Sequence, residues 1–138
     1  MKRAGDLAIL VVDDDEDLRE IIAFEFTRAG CKVLLAATAA EALAHAKSVK
    51  IDAIVSDFLM PTADGTGNEN GLALINQIQA LGASSPTRDP VVILLTGFGD
   101  LLPPDAYSTG TTAVFAKPVD RKALLAYVLE KLGAGSAD

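Results

Sequence analysis

Six residues at four places along the chain could do metal and phosphate chemistry together: Asp13-Asp14-Asp15, Asp57, Thr96 and Lys117. Each place follows a short apolar run of strand length, in turn Leu7–Val12, Ile51–Val55, Val91–Leu95 and Ala113–Ala116. Carboxylates brought together repel one another, and a bound cation is the usual remedy. Hard oxygen ligands with room for water and a phosphoryl oxygen suit Mg²⁺. A lysine and a hydroxyl on the other side could hold the remaining oxygens of a phosphoryl group. Taken singly, each residue has an ordinary reading. The acids between Asp13 and Asp17 could be no more than a helix N-terminal cluster favoured by the dipole, with Asp15 as its cap.

The elements that must position these residues follow from the pattern. Uninterrupted apolar strands suit a sheet covered on both faces, which points to parallel strands joined by crossover helices. Val33–Leu35 supplies a further strand. Leu18, Ile21, Ile22 and Phe26 form a helical stripe after the acids. Thr38-Ala39-Ala40-Glu41 is a capping box opening a second helix. Leu72, Ile75 and Ile78 lie along a third, and Pro103-Pro104 can only begin a short fourth that Gly110 ends. Leu124, Leu125, Val128, Leu129 and Leu132 mark the fifth, with Asp120 as its cap. The predicted fold is α/β, a (βα)5 doubly wound five-stranded parallel sheet, with function gathered outside the carboxyl ends of its strands.

Four motifs occur in order: Ile9-Leu10-Val11-Val12-Asp13-Asp14-Asp15, Ser56-Asp57-Phe58-Leu59-Met60-Pro61, Leu95-Thr96-Gly97 and Ala116-Lys117-Pro118. Together they resemble the receiver domains of bacterial two-component response regulators, over almost the whole stretch from Leu7 to Leu132. The resemblance implies a flavodoxin-like, CheY-like fold with strand order 2-1-3-4-5. It implies a receiver over residues 1–132 and a tail or truncated linker over 133–138. Asp57 would accept a phosphoryl group from a sensor histidine kinase or a histidine phosphotransfer protein. Asp13, Asp14, Asp57 and the Leu59 backbone carbonyl would hold Mg²⁺ (or Mn²⁺). Lys117 would pair with the Asp57 carboxylate and then the phosphate, aimed by a cis Lys117-Pro118 bond. Thr96 would turn its hydroxyl to a phosphate oxygen, with the Gly97 amide beside it. The downstream partner would meet the face of the fourth helix, fifth strand and fifth helix, and the protein would be a monomer or a phosphorylation-dependent dimer.

The sequence departs from the family pattern in two regions. Between Met60-Pro61 and the third helix runs Thr62-Ala63-Asp64-Gly65-Thr66-Gly67-Asn68-Glu69-Asn70-Gly71, an insertion expected to form a mobile loop over the rim. Either Asp64-Gly65 or Asn70-Gly71 can be its turn. Three positions before Lys117, where receivers commonly carry a switching aromatic, stands Val114, and the neighbouring Phe115 should face the core on the other side of the strand.

Bulk composition narrows the partners. The chain has 138 residues, one cysteine and a net charge of −7. Such a charge repels the phosphate backbone of nucleic acid, and no basic cluster or long apolar run suggests a membrane. A cytoplasmic protein with Cys31 as a buried apolar residue and His45 at the surface is expected. The expected role is a phosphorylation-dependent binding module, stand-alone and without an output domain. A Mg²⁺-dependent phosphatase is the alternative, but such enzymes carry a second acid two residues after the nucleophile, and Leu59 stands there. Leu59 and Phe98, two places after Asp57 and Thr96, cannot orient an attacking water, so loss of phosphate by self-hydrolysis is expected to be slow. A Leu59→Asn, Phe98→Glu double variant should lose its phosphate faster than wild type in a time course; an unchanged rate would remove the explanation.

Overall fold

The computed structural model of the chain describes residues 3–61, 68–87, 89–97 and 112–134, with the backbone alone at 59–61, 68–70 and 72. Its strands are β1 (Ala8–Val12), β2 (Lys32–Ala36), β3 (Ala53–Asp57), β4 (Leu59–Pro61), β5 (Asn68–Asn70), β6 (Val91–Thr96) and β7 (Ala113–Ala116). Its α-helices are α1 (Glu16–Arg28), α2 (Ala39–Ser48), α3 (Gly71–Ala80) and α4 (Arg121–Lys131). Five strands make one sheet in the order β2-β1-β3-β6-β7, every neighbouring pair parallel. Counting sheet strands alone, this is the expected order 2-1-3-4-5. The expected fourth helix, around Pro104–Ser108, lies outside the described residues.

All five residues of β1 and of β3 are buried, as two-sided coverage demands. Side chains alternate between two cores because successive residues of a strand point to opposite faces. Ile9, Val11, Val55, Ile93 and Leu95 pack with Ile22 and Phe26 of α1 and Leu124 and Val128 of α4. Leu10, Val12 and Ile54 pack on the other face with Ala42 and Ala46 of α2 and Leu74 and Ile78 of α3. Phe115 joins the first core, edge-on to Tyr127 at 5.6 Å, while Val114 packs against the cluster of Phe58, Ile75, Val92 and Leu94. The two side chains thus face opposite ways, as expected.

Helix ends are written locally. Asp15 accepts from the Leu18 amide, Thr38 from the Glu41 amide and Asp120 from the Ala123 amide. Glu41 reaches back to the Ala37 amide at 2.6 Å. At the end of α4, Gly133 (φ 70°) lets its own amide reach Glu130 and the Ala134 amide reach the Leu129 carbonyl at 2.9 Å.

The centre of the insertion after Pro61, residues 62–67, lies outside the described residues. Its flanks pair as an antiparallel ribbon, Leu59 opposite Asn70, Met60 opposite Glu69 and Pro61 opposite Asn68. Asp64-Gly65 lies outside the described residues, and Asn70-Gly71 is the junction into α3. Gly71 donates to the Phe58 carbonyl at 2.6 Å, and a Cβ there would stand 2.7 Å from Leu94 Cδ2 and 3.1 Å from the Asp57 carbonyl oxygen. Only glycine fits so close an approach in a packed core. Gly71→Ala should therefore lower stability by about 1–3 kcal/mol in urea unfolding; an unchanged midpoint would mean that the Asp57 backbone and Leu94 give way freely.

Candidate functional site

The register of the sheet brings the chemistry to one end. Val12 lies opposite Ser56, Asp57 opposite Leu95 and Thr96 opposite Ala116, so Asp13, Asp57, Thr96 and Lys117 all stand at the carboxyl ends of adjacent strands.

Asp13 is tied at three points. Its N–H donates to the Ala36 carbonyl at 3.0 Å, its Oδ1 accepts from the Asp15 amide at 2.9 Å, and its carbonyl accepts from Arg19 Nη1 at 2.8 Å. The remaining oxygen, Oδ2, is buried and has no hydrogen-bond partner. Lys117 Nζ, 3.5 Å away, is near enough for an ion pair but makes no hydrogen bond to it. Asp57 closes β3, where the Ser56 hydroxyl donates to its carbonyl at 2.9 Å and the next amide, Phe58, donates to Leu95. Lys117 Nζ reaches Asp57 Oδ1 at 3.2 Å. The Lys117 amide donates to the Thr96 carbonyl at 2.7 Å, and Lys117-Pro118 is cis, as expected.

Asp13, Asp14 and Asp57 each offer a carboxylate oxygen within 4.8 Å of the other two; Asp14 is exposed and the others are buried. Two like charges at such a separation repel by about 3 kcal/mol at an effective dielectric of ~20. Burial first, and the neighbouring Asp13 charge second, push the Asp57 carboxyl up to about 6, although Lys117 pulls the other way. Asp13 is raised too, mainly by burial, against the hydrogen bond from Asp15 and the charge of Lys117. Burial works against the Lys117 ammonium, yet Asp13 and Asp57 together outweigh it and hold the amine above its ordinary range. One lysine therefore does not discharge the cluster. An orphaned buried oxygen among three hard ligands fits a divalent cation.

The expected ligands and contacts fall into place unevenly. Asp13, Asp14, Asp57 and Lys117 come together. Thr96 and Gly97 stand at the strand end beside them, Thr96 half-buried. Leu59 is described by its backbone, inside the ribbon next to Asp57, and Phe98 lies outside the described residues. Cys31 is buried. His45 is half-buried and donates from Nε2 to the Leu35 carbonyl at 2.9 Å, a link within the fold. Sequence reasoning missed Arg19, Ser56 and Gly71, which touch the site through backbone carbonyls; only the Asn70-Gly71 pair carried a signal. A cavity of about 410 Å³ among Ile75, Ile78, Thr87 and Asp89 lies toward the other end of β6 and includes none of the site residues.

An acidic cleft with one lysine, outside the carboxyl ends of a doubly wound parallel sheet, defines a flavodoxin-like domain of the CheY-like class. The chain matches the family model of the response regulator receiver domain over residues 9–129, and it belongs to that family. The transcriptional regulatory protein GlrR of Escherichia coli K12 is 34% identical over 119 residues, which are 84% of this chain and 24% of that protein. The transcriptional regulatory protein FixJ of Azorhizobium caulinodans is 33% identical over 128 residues, 92% of this chain and 56% of its own length. The chain thus spans from a quarter to somewhat over half of these relatives. A CheY-like receiver from Methanospirillum hungatei superposes with a TM-score of 0.76 at 26% identity, covering 92% of this chain and 94% of that one. A receiver from Clostridium thermocellum gives 0.74 at 26% identity, with the same two coverages. Receivers of this family serve two-component systems, are phosphorylated on an aspartate by histidine kinases, and generally bind Mg²⁺ at an acidic pocket. Among the described residues no helix is long and apolar enough to cross a membrane.

A carboxyl held near 6 when folded and near 4 when unfolded binds its proton more tightly in the folded state. Its contribution to stability is present below about pH 4 and is lost as pH rises through about 6. Without divalent metal, Asp57→Asn should be more stable than wild type at pH 8 by on the order of 2 kcal/mol, and this gain should shrink at pH 5. Denaturant unfolding at the two pH values measures it; a gain that did not depend on pH would contradict the assignment.

Proposed function

We propose that Asp57 is the phosphoacceptor of a Mg²⁺-dependent phosphoryl transfer from the phosphohistidine of a sensor histidine kinase or a histidine phosphotransfer protein. The observation that carries this reading is the buried Oδ2 of Asp13, which lacks a hydrogen-bond partner and stands beside Asp57 and Lys117. Asp13, Asp14, Asp57 and the Leu59 carbonyl would hold the cation, with Mn²⁺ able to replace Mg²⁺. Bound there, the cation would neutralise the carboxylates and the incoming phosphoryl oxygens.

The chain's own residues perform the rest. An oxygen of the Asp57 carboxylate attacks phosphorus in line with the histidine nitrogen; the P–N bond breaks, and the imidazole leaves to take up a proton. The transition state is loose, so positioning and charge stabilisation supply most of the rate. Lys117, 3.2 Å from Asp57 Oδ1, neutralises the carboxylate beforehand and a phosphoryl oxygen afterwards. Thr96 offers its hydroxyl, and Gly97 its amide, to another phosphoryl oxygen. The product is an acyl phosphate, which water hydrolyses, so the mark is reversible.

The protein acts as a binding module in the cytoplasm, as a monomer or a phosphorylation-dependent dimer, and does not turn over external phosphate esters. Phosphorylation would change its affinity for a protein partner at the face that carries β7 and α4. The relatives named transcriptional regulators suggest a partner or attached domain with that output, since a chain of net charge −7 is ill suited to meet DNA itself. The residues proposed for the chemistry all fall within the receiver match over residues 9–129.

Incubation with acetyl phosphate and Mg²⁺ should add one phosphoryl group by intact-mass spectrometry, and chelation of the metal or Asp57→Asn should abolish it. A phosphoryl group that still forms in the Asp57→Asn protein would overturn the reading.

A further inference from the structure

We infer that Arg19 is a positioning residue for the cation site, acting through the backbone carbonyl of Asp13. The inference rests on the reading of Asp13, Asp14 and Asp57 as that site and adds the device that holds its first turn.

Arg19 lies near the N-terminus of α1, where the helix dipole disfavours a positive charge and where Glu16 and Asp17 are the residues the dipole favours. Among the described residues it takes part in no ion pair. Its half-buried side chain turns back over the β1–α1 junction, and Nη1 donates to the Asp13 carbonyl at 2.8 Å. A guanidinium placed against the dipole and spent on a neutral carbonyl points to a geometric task.

The task follows from peptide planarity. The Asp13 carbonyl and the Asp14 amide belong to one rigid plane, so a clamp on that carbonyl sets the direction in which Asp14 leaves. The same clamp acts with the Asp15 amide, which donates to Asp13 Oδ1 at 2.9 Å, and with the Ala36 carbonyl, which accepts from the Asp13 amide at 3.0 Å. With those three points fixed, the carboxylate has one oxygen without a hydrogen bond, the buried Oδ2 that faces Lys117. Arg19 thereby aims two cation ligands without touching the cation. Partners in this outer position characteristically change metal affinity by about ten- to a hundredfold when removed.

The test compares wild type, Arg19→Ala, Arg19→Met and Arg19→Lys by calorimetric Mg²⁺ titration, well below the melting temperature of each. Arg19→Met keeps the aliphatic stem and carries the test if Arg19→Ala does not fold. We expect the Mg²⁺ Kd to rise about tenfold or more in the alanine and methionine proteins. Arg19→Lys, which retains a donor of similar reach, should recover part of that loss. In metal-free protein the Asp15 amide resonance should also move, because its acceptor on Asp13 is no longer held; a role confined to stability would leave both readouts unchanged. A methionine variant that binds Mg²⁺ within twofold of wild type, or an Asp15 amide that does not move, overturns the inference. A wild type that binds no Mg²⁺ would instead overturn the reading of the site, and the Asp15 amide would still report on the clamp.

Discussion

Two buried carboxylates, Asp13 and Asp57, stand close together with a third, Asp14, at their edge, and one lysine serves them both. The rest of the molecule can be understood as the framework that enforces this crowding. Left to themselves the carboxylates would separate or take up protons, and the raised pKa values of Asp13 and Asp57 express that tendency. The crowding persists because Asp57 is the terminal residue of a strand and Asp13 and Asp14 are the first two residues after another. Those strands are locked side by side by parallel ladders and covered on both faces. Stability is thus given up at one end of the sheet, and a cation bound among the carboxylates would recover it.

Much of this was legible in the sequence, and the reasons are local. Apolar runs such as Leu7–Val12 announce strands buried on both faces, and Asp15, Thr38 and Asp120 announce helix starts because a cap is a contact between near neighbours. Asp13, Asp57 and Lys117 could be read as one site because a doubly wound sheet brings its strand ends together whatever the loops do. What escaped the sequence are contacts to backbone. Arg19 on the Asp13 carbonyl, the Ser56 hydroxyl on the Asp57 carbonyl and the Gly71 approach to the same atom have no side-chain partner whose type would betray them. The ribbon of β4 and β5 escaped for a related reason. Its arms, Leu59-Met60-Pro61 and Asn68-Glu69-Asn70, are three residues each and too short to show an alternating pattern.

The ribbon and the environment of Val114 bear on how the chemistry is communicated. The ribbon begins two residues after Asp57 and returns the chain to Gly71, whose amide closes on Phe58. A change at the Asp57 backbone is therefore coupled mechanically to the start of α3 as well as to β6. On the other side, Val114 packs into the cluster of Phe58, Ile75, Val92 and Leu94, where a β-branched aliphatic group cannot make the large inward swing of an aromatic ring. The residues of the proposed capture site follow the expected pattern, while the ribbon and Val114 beside them depart from the pattern that receivers commonly show.

The central claim is that the crowded carboxylates are a divalent-cation site. Anomalous diffraction from a crystal grown with Mn²⁺ tests it most directly. The account predicts one strong peak within bonding distance of Asp13, Asp14, Asp57 and the Leu59 carbonyl, absent from crystals of the Asp57→Asn protein. A map with no peak between those oxygens, from crystals soaked in a large excess of Mn²⁺, would contradict it.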